Sequence, residues 1–586
     1  MILAPARIEQ KDTQLRSIDY EDIYFSYDGA AETERVFIEP MRLRELFEHG
    51  SEGGVRLGEL GFGTGLNFLA VSEAFLKVAP ESARLDYIAF EKHPLRCSDL
   101  KQILKRHASK MTLAEALIDA WPQRFVGWHV RYFAKDRIRL LLYQGDALDG
   151  VTDLQSKCHA WLLDGFDARR NPEMWSEQLF KHIAEKSEAD ARIASFTAQG
   201  DVRRRLESVG FAITRVDQQP HKRHSLAGTR TSGRAAQTIR PREVAIIGAG
   251  FAGTFTAHLL AIRGVSVHLF DPHFEPIPVA LAHVRLGDPN LPHMQLRALA
   301  RGYSNDWYRR LGAARGVLEA PVDARAVEKM HRNAEHWLPA DDSIRRLDEP
   351  QAREKSGLSG IHQSLWHGQC HMVEPGQLLS LLNHPLVTRH TTSIASFHAS
   401  GGNWTLTLDT GASHTFEKVV VCAGSDSLSL LLALAPEIDA QVVGGQMERV
   451  RTAPMLKCAM VGEGFAVPGQ SQELFIGATF EREPLQPQDA ERENIARTTR
   501  WFKALGHPLS ISHKDAWRGA RTYHKDRMPI IAELASGLHV NFAFGASGSV
   551  MAPLTADLVA SQMTADPLPI TRTLITDSIA SISSSK

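Results

Sequence analysis

The sequence lacks the cysteine pairs on which disulfide frameworks and zinc sites depend. Its five cysteines are scattered over 586 residues, and no two of them form a CxxC pair. An odd, dispersed set of thiols is typical of a protein kept in a reducing compartment. We therefore expect a cytoplasmic protein without disulfides or a bound metal.

Long apolar runs are also missing. The longest, around Leu428 to Ala435, is far too short to cross a bilayer, and Pro436 ends it. The opening residues, MILAPARIEQKDTQ, contain no apolar segment of the kind found in secretory signals. These absences predict no membrane association.

The chain has no excess of charge, because its formal net charge is −1. Between residues 203 and 242, however, ten bases are opposed only by Glu207 and Asp217. Such a patch would attract phosphates by counterion release, although a solvated linker face explains the charge equally well. The bases are Arg203, Arg204, Arg205, Arg215, Lys222, Arg223, Arg230, Arg234, Arg240 and Arg242.

A complete dinucleotide-binding pattern is present from Val244 to Asp271. An apolar strand leads into GAGFAG, a helical stretch follows, and a second strand ends on Asp271. Gly248 permits the tight turn, Gly250 lets backbone approach a pyrophosphate, and Gly253 lets helix and strand pack closely. Asp271 is placed to accept from an adenosine ribose. A glycine-rich turn in an ordinary α/β unit is the alternative.

A second glycine loop lies much earlier, where Glu59 precedes Gly61, Gly63 and Gly65. No lysine follows, so this is not a phosphate-gripping loop. It resembles the S-adenosylmethionine (SAM) loop of class I methyltransferases. The strand patterns that follow predict further sites, with Glu91 placed for the ribose hydroxyls, Asp146 for the adenine amino group and Asp164 in the crevice at the strand ends.

Asp164 is the candidate catalytic residue of this first half. Methyl transfer to an amine needs the amine neutral and aligned, so a carboxylate must orient it and accept its proton. The alternative is that Asp164 caps the turn that follows it.

In the first half, Asp164-Gly165-Phe166 is followed by Asn171-Pro172-Glu173-Met174-Trp175. With these motifs the first half resembles the bacterial bifunctional tRNA-modification enzymes of the MnmC family. One departure is DARR at residues 167–170, where relatives often carry APAK, which leaves the geometry of that turn open. In residues 20–50, two apolar runs flank Asp28-Gly29, and this pattern predicts a β-hairpin. The resemblance is carried by Asp164-Gly165-Phe166, Asn171 to Trp175, Tyr24-Phe25-Ser26, Ser195-Phe196-Thr197, 202–206, Gly210-Phe211 and Lys222-Arg223.

The second half resembles the D-amino-acid oxidase and glycine oxidase superfamily, which binds FAD. A strand ending on Ala423-Gly424, and a late loop with Gly545, Ser547 and Gly548 before an apolar helix, favour FAD over NAD, the runner-up nucleotide.

Arg521 is the second candidate catalytic residue. It matches the superfamily position that binds the substrate carboxylate, for which a planar guanidinium is suited. A structural salt bridge to Asp526 is the alternative. The usual flavin-contacting loop is replaced by residues 279–285, where His283 and Arg285 could substitute, although surface placement is equally consistent.

We predict an α/β protein in which a class I, Rossmann-like methyltransferase fold precedes a Rossmann-type FAD-binding domain with a mixed or antiparallel substrate sheet. The methyltransferase domain, with its N-terminal hairpin, is assigned to residues 1–235 and the linker to 236–242. The FAD-dependent domain is assigned to 243–586, with cofactor-binding parts near 243–275, 370–430 and 515–575.

The MnmC resemblance implies successive reactions on the wobble uridine in a tRNA anticodon stem-loop. The flavin domain would remove a carboxymethyl group, and the methyltransferase domain would then methylate the exposed amine. We expect a monomer that binds tRNA through Arg203, Arg204, Arg205, Lys222 and Arg223. The alternatives are an amino-acid or sarcosine-type oxidase fused to a small-molecule methyltransferase, and an RNA chaperone or scaffold that binds nucleotides.

Overall fold

The computed structural model describes residues 2–11, 14–25, 29–50, 53–219, 222–231, 240–274, 277–453, 456–470 and 472–575, without the side chains of 107, 222, 223 and 375. The chain divides into two units. Unit 1 contains residues 1–239 and 561–572, and unit 2 contains 240–560 and 573–586.

Unit 1 alternates strands and helices. Its strands are β1 (Ile8–Lys11), β2 (Gln14–Ser17), β3 (Asp22–Ile23), β4 (Val55–Leu60), β5 (Leu85–Glu91), β6 (Gly127–Phe133), β7 (Ile138–Gln144), β8 (Cys158–Leu163), β9 (Ser187–Ser195), β10 (Phe211–Gln218) and β11 (Lys222–Arg230). Its α-helices are α1 (Gly29–Thr33), α2 (Leu43–His49), α3 (Leu66–Val78), α4 (Cys97–His107), α5 (Ala114–Asp119), α6 (Ala147–Asp153), α7 (Glu177–Glu185) and α8 (Gly200–Ser208).

The main sheet of unit 1 has the order β10-β11-β9-β8-β4-β5-β7-β6. Its central strands are parallel, and β6, β10 and β11 pair antiparallel with their neighbours. The strand order reverses between β4 and β8. Ligands of open α/β sheets bind at such a point, beyond the carboxyl ends of the strands.

The predicted hairpin around Asp28-Gly29 is wrong. Asp28 itself lies outside the described residues, but the following chain forms α1 and then a π-helical turn, Glu34–Ile38. Val36, Phe37 and Ile38 are all buried in the core of unit 1, and their packing in this turn has overridden their strand propensity. The antiparallel strands of this region are β1, β2 and β3, which come earlier.

Unit 2 is longer and richer in strands. Its strands are β12 (Glu243–Ile247), β13 (Ser266–Phe270), β14 (Ala280–Ala282), β15 (Ala314–Glu319), β16 (Ile344–Leu347), β17 (Ser364–Val373), β18 (Val387–His390), β19 (Ile394–Ser400), β20 (Asn403–Leu408), β21 (Ser413–Phe416), β22 (Lys418–Val421), β23 (Ala440–Ala453), β24 (Ala459–Val461), β25 (Phe465–Pro468), β26 (Glu473–Gly477), β27 (Ser510–His524), β28 (Ile530–Ala535) and β29 (Leu538–Phe542). Its α-helices are α9 (Phe251–Ala261), α10 (Pro292–Arg310), α11 (Ala324–Trp337), α12 (Glu349–Ser356), α13 (Pro375–Ser380), α14 (Asp426–Leu431), α15 (Pro487–Ala504) and α16 (Gly548–Thr564), of which the residues from 561 onward count with unit 1.

Two large sheets organise unit 2. The first, β18-β13-β12-β22-β29-β28, is parallel except for the β28–β29 pair. The second runs β14-β17-β15-β24-β25-β26-β23-β27, with β16 paired to β17, and it is mostly antiparallel. A parallel nucleotide-binding sheet beside an antiparallel sheet confirms the predicted fold class.

Residues 561–572 belong to unit 1 although they follow most of unit 2 in the chain. Arg139 donates 3.0 Å to the carbonyl of Pro567, and Arg84 forms a 3.1 Å ion pair with buried Asp566. Residues 236–239 of the expected linker and the end of the chain beyond 575 lie outside the described residues.

All five cysteines carry free thiols. Among the described residues, no helix is long and apolar enough to cross a membrane.

Candidate cofactor sites and active sites

The glycine loop of unit 1 connects β4 to α3 at the centre of the sheet. Gly61, Gly63 and Gly65 all have φ between +54° and +76°, a conformation that other residues rarely adopt. A β-carbon at Gly65 would also lie 2.8 Å from the side chain of Leu117. The loop therefore requires its glycines for its own backbone path.

Glu91, at the end of β5, connects to this loop. One carboxylate oxygen accepts from Gly63 N at 2.8 Å, and the other accepts from His93 N at 2.8 Å. A carboxylate offers about four acceptor positions. Positions therefore remain on Glu91 for ribose hydroxyls.

Asp146 follows β7 and caps α6 by accepting from Leu148 N at 3.0 Å. Its other oxygen forms a 3.1 Å ion pair with Lys92, which also reaches Glu173 at 3.2 Å. Lys92 thus spans two acids beside the predicted adenine position. Sequence reasoning missed it, although it directly follows Glu91.

Asp164 and Glu59 are joined by Asn67, in the first turn of α3. The Asn67 amide donates to Glu59 at 2.9 Å and to Asp164 at 2.6 Å, and its oxygen accepts from Thr33 at 2.6 Å. Glu59 is completely buried, and burial raises its pKa well above the usual range. Glu59 is therefore a support beneath the site, whereas Asp164 is partly accessible.

A pocket opens over these strand ends. It is lined by Gly61, Glu91 and Asp146 from the sheet, with Gly165 and Phe166 following Asp164. The N-terminal segment covers the pocket, because Tyr20 stacks on Phe166 with ring centroids 4.6 Å apart. A polar floor beneath aromatic rings suits a cofactor that carries both a ribose and a base.

The turn at residues 167–170 is formed without the proline of its relatives. Asp167 accepts 2.8 Å from the backbone N–H of Arg169, and its carbonyl accepts from Asn171 N at 2.9 Å. The Arg169 guanidinium lowers the pKa of Asp167 to about 2. Asp167 N also donates to Asp22 at 2.8 Å, which ties the turn to the N-terminal segment.

The predicted tRNA-binding arginines lie on α8. Arg203 pairs with Glu207 at 2.8 Å, Arg204 pairs with Asp201, and Arg205 donates to the carbonyl of Trp175 at 2.7 Å. Because the helix carries two acids among three arginines, its basic charge is weaker than the sequence suggested. Lys222 and Arg223 are in β11, but their side chains lie outside the described residues.

The glycine loop of unit 2 connects β12 to α9. A β-carbon at Gly253 would lie 1.7 Å from the Gly248 carbonyl oxygen, so only glycine fits there. Gly248 has φ +98°, and a β-carbon there would meet Cys422 O at 2.7 Å. Gly250 has open space around it. This open face at the N-terminus of α9 is where a pyrophosphate would be held.

Asp271 follows β13 and ties down the same loop. One oxygen accepts from Ala249 N at 2.8 Å, and the other accepts from His273 N at 3.0 Å and Phe274 N at 3.1 Å. About one acceptor position remains for a ribose hydroxyl.

Two further loops meet the carboxyl edge of this sheet. Ala423 and Gly424 follow β22, and Gly424 has φ +59° with open space around it. Ala543, after β29, has φ +67°, an uncommon conformation for alanine, and it leads into the Gly545–Ser547 turn and α16. These loops therefore bring Gly545, Ser547 and Gly548 to one helix N-terminus, which suits the pyrimidine edge of a flavin.

Arg521, on β27, is partly buried, and burial lowers its pKa, an effect that the charge of nearby Glu481 opposes. Among the described residues its guanidinium makes no hydrogen bond or ion pair. Nearby Glu481 is bound instead by Arg518, at 2.6 Å. Asp526, the alternative partner, pairs with His524 at 2.7 Å. The guanidinium of Arg521 is therefore available for an anion.

The divergent residues 279–285 do not place Arg285 toward a cofactor, because it donates to Gly462 O at 2.9 Å. His283 packs edge-on against His367, with ring centroids 4.7 Å apart, and Glu319 bonds His367 at 2.9 Å. Ligand atoms of these three residues lie within 4.8 Å of one another. The Glu319–His367 hydrogen bond joins two of the three residues.

Family models match both units. A model described as S-adenosyl-L-methionine-dependent methyltransferase matches residues 109–231, and one described as FAD dependent oxidoreductase matches 243–562. The chain is therefore an enzyme with methyltransferase and oxidoreductase domains, and its cofactors are SAM and FAD. The open cradle at Gly250 and the acceptors left on Glu91 and Asp271 fit these two groups.

The relatives identify the family more closely. The tRNA 5-methylaminomethyl-2-thiouridine biosynthesis bifunctional protein MnmC of Aeromonas hydrophila is 31% identical, over 95% of this chain and 94% of that protein. MnmC of Pseudomonas aeruginosa strain UCBPP-PA14 is 29% identical, over 94% and 93%. This chain belongs to the MnmC family. Among solved structures, glycine oxidase from Bacillus cereus ATCC 14579 aligns with a TM-score of 0.48 at 20% identity, over 57% of this chain and 99% of that one.

Proposed function

We propose that this enzyme completes a methylaminomethyl group on the wobble uridine of tRNA in two steps. Unit 2 removes the carboxymethyl group from carboxymethylaminomethyluridine, with or without a 2-thio group, and leaves aminomethyluridine. Unit 1 then methylates the exposed amine. The names of the relatives support tRNA as the substrate.

The observation that carries this proposal is the partly buried guanidinium of Arg521, which makes no hydrogen bond or ion pair with the described residues. A partly buried guanidinium that no carboxylate pairs with is suited to an anionic ligand, because an anion would offset the cost of its lost hydration. A carboxymethyl carboxylate fits the planar fork with two parallel hydrogen bonds. Arg521 thus holds the carboxylate while the adjacent carbon–nitrogen bond is oxidised.

FAD, when bound, supplies a two-electron acceptor. Loss of two electrons and two protons converts the substrate's CH2–NH bond to an imine. Water then adds and splits the carbon–nitrogen bond, which releases glyoxylate and leaves a primary amine on the uridine. Arg521 keeps the reacting carbon in place through these steps.

SAM, when bound, supplies the methyl group. Asp164 accepts the proton of the aminomethyl group and orients the neutral nitrogen toward the methyl donor. Asn67 fixes the Asp164 carboxylate, since its own orientation is set by Thr33 and Glu59.

The arginines of α8, together with Lys222 and Arg223, are proposed to contact tRNA phosphates. We also propose that the protein acts as a monomer in the cytoplasm, which its dispersed free thiols support. Light scattering of the purified protein measures its molar mass and so tests whether it is a monomer. Binding to tRNA should weaken steeply as salt rises.

The purified holoenzyme with undermodified tRNA tests the reaction sequence. Nucleoside mass analysis should show loss of the carboxymethyl group without SAM, and gain of one methyl group when SAM is added. Glyoxylate release from free sarcosine, with none from the tRNA, would favour the small-molecule oxidase instead.

A further inference from the structure

Phe480 is an aromatic residue that lies outside the hydrophobic core. Its side chain is 58% exposed, and among the strongly exposed large apolar side chains in the described part of the chain it is the one aromatic. An exposed phenylalanine does not gain the free energy of burial in the folded protein, so what lies around it decides whether it has a role.

The backbone on both sides of Phe480 is held firmly. Thr479 and Glu481 are almost completely buried, and the Thr479 hydroxyl donates to Glu481 at 2.6 Å. The backbone N–H of Glu481 donates to Gly444 O at 3.0 Å, and that of Thr479 donates to Gln446 O at 3.2 Å. The ring is thus presented to solvent from a rigid support.

This support adjoins the anion site. A β-carbon at Gly445 would lie 2.9 Å from Thr479 O and 3.1 Å from a terminal nitrogen of Arg521, so those two atoms are at most about 6 Å apart. The absence of a side chain at Gly445 leaves room for the guanidinium. Phe480 follows Thr479 directly, so its backbone begins next to the oxygen that lies this close to Arg521.

Tyr523 extends the aromatic surface. It lies two residues after Arg521 on β27, so both side chains are on one face of the strand. Its ring centroid is 6.4 Å from that of Phe480, and its hydroxyl donates to Gln441 at 2.6 Å. Its backbone bridges to Phe544, directly before the Gly545 loop. The aromatic pair therefore adjoins the loop expected at the flavin and shares a strand face with Arg521.

We propose that Phe480, supported by Tyr523, is a stacking platform for the pyrimidine ring of the nucleoside whose carboxymethyl group binds Arg521. Stacking of a base on an aromatic ring is the usual way proteins hold an unpaired base. The platform rests on the proposed function. It would let unit 2 distinguish a nucleoside from a free amino acid.

The test compares two substrates of the holoenzyme, 5-carboxymethylaminomethyluridine and sarcosine, which carries a carboxylate and an amine but no ring. Phe480→Ala should raise KM for the nucleoside by about 5- to 150-fold, the range measured for lost base stacking. KM for sarcosine should stay within twofold, and Phe480→Tyr should restore nucleoside binding. Leu432→Ala, which removes a side chain that is 66% exposed elsewhere, is the matched control.

A binding measurement separates this proposal from the reaction itself. In Phe480→Trp, the nucleoside should quench the added indole fluorescence, whereas sarcosine should not. Equal KM changes for both substrates, or no quenching by the nucleoside, would overturn the platform. Quenching without any oxidation of the nucleoside would overturn the proposed reaction and leave the platform standing.

Discussion

The loops at residues 59–65 and 248–253 both follow a central parallel strand and both lead into a helix, but different constraints act on their glycines. All three glycines of the first loop have positive φ, whereas Gly250 of the second has φ −68° and open space around it. The first loop requires its glycines for the path of its own backbone. The second keeps one glycine, Gly250, that only a ligand would require.

The acids at the ends of β5 and β13 act on their glycine loops in the same way. Glu91 and Asp271 each accept from a backbone N–H of their own glycine loop at 2.8 Å. A residue expected only to bind ribose therefore also holds its loop in place. Changing either acid would therefore lower cofactor affinity both by removing an acceptor for the ribose and by releasing the loop.

The largest effect is expected from Gly253→Ala, which tests the close approach of α9 to the Gly248 carbonyl in unit 2. In Gly253→Ala the new β-carbon would collide with the Gly248 carbonyl, so FAD binding and the folded oxidase unit should both be lost. Flavin absorbance and calorimetry measure this. Gly250→Ala is the matched control, because it should fold normally while it binds FAD more weakly. Normal FAD content in Gly253→Ala would show that the loop does not require close packing.

Asp164→Asn should separate the two activities. Without a proton acceptor, methyl transfer should fall by about 10²- to 10⁴-fold, while glyoxylate release from the same tRNA stays unchanged. Mass analysis of the nucleosides measures both. SAM binding, followed by calorimetry, should persist as evidence of an intact fold. Normal methylation in this variant would remove Asp164 from catalysis.

Arg521→Ala should have the complementary effect in unit 2. Loss of a bidentate partner in a partly buried site should lower kcat/KM for the carboxymethylated substrate by about 10²-fold, without changing FAD content. Methylation of aminomethyl-tRNA should be unaffected. Arg449→Ala removes an arginine from the neighbouring strand, where it pairs with Asp515, and is expected to have little effect. Unchanged turnover in Arg521→Ala would contradict the assignment.

The smallest effect concerns buried Glu59. Its pKa is raised in the folded state, so the folded state binds the proton more tightly than the unfolded state. Stability therefore falls as pH rises above the ordinary carboxyl pKa. Glu59→Gln should remove that dependence and raise the Tm of unit 1 at neutral pH by a few degrees. Thermal unfolding from pH 4 to pH 8 measures this, and loss of SAM binding in the variant would instead make Glu59 a ligand.

Much of the parallel architecture was predictable, because strands buried on both faces have near-continuous apolar sequences. The predicted strands ending near Glu91, Asp146 and Asp164 are confirmed as β5, β7 and β8. The region from Gly29 to Ile38 was not predictable in this way. Its apolar pattern fits a strand, and only packing against the core favoured a helix.

The sequence by itself determined the two nucleotide-binding loops, their order in the chain and the acids that follow their strands. Those features depend on local backbone conformation and on spacing along single strands. Only the tertiary structure decided that Glu59 is buried, that Asp526 pairs with His524 and that Arg521 keeps a guanidinium without a protein partner. It also brought the carbonyl oxygen of Thr479, which precedes Phe480, to within about 6 Å of that guanidinium. Each of these outcomes depends on strands distant in sequence, and the free energy of burial or pairing is fixed only when those strands meet.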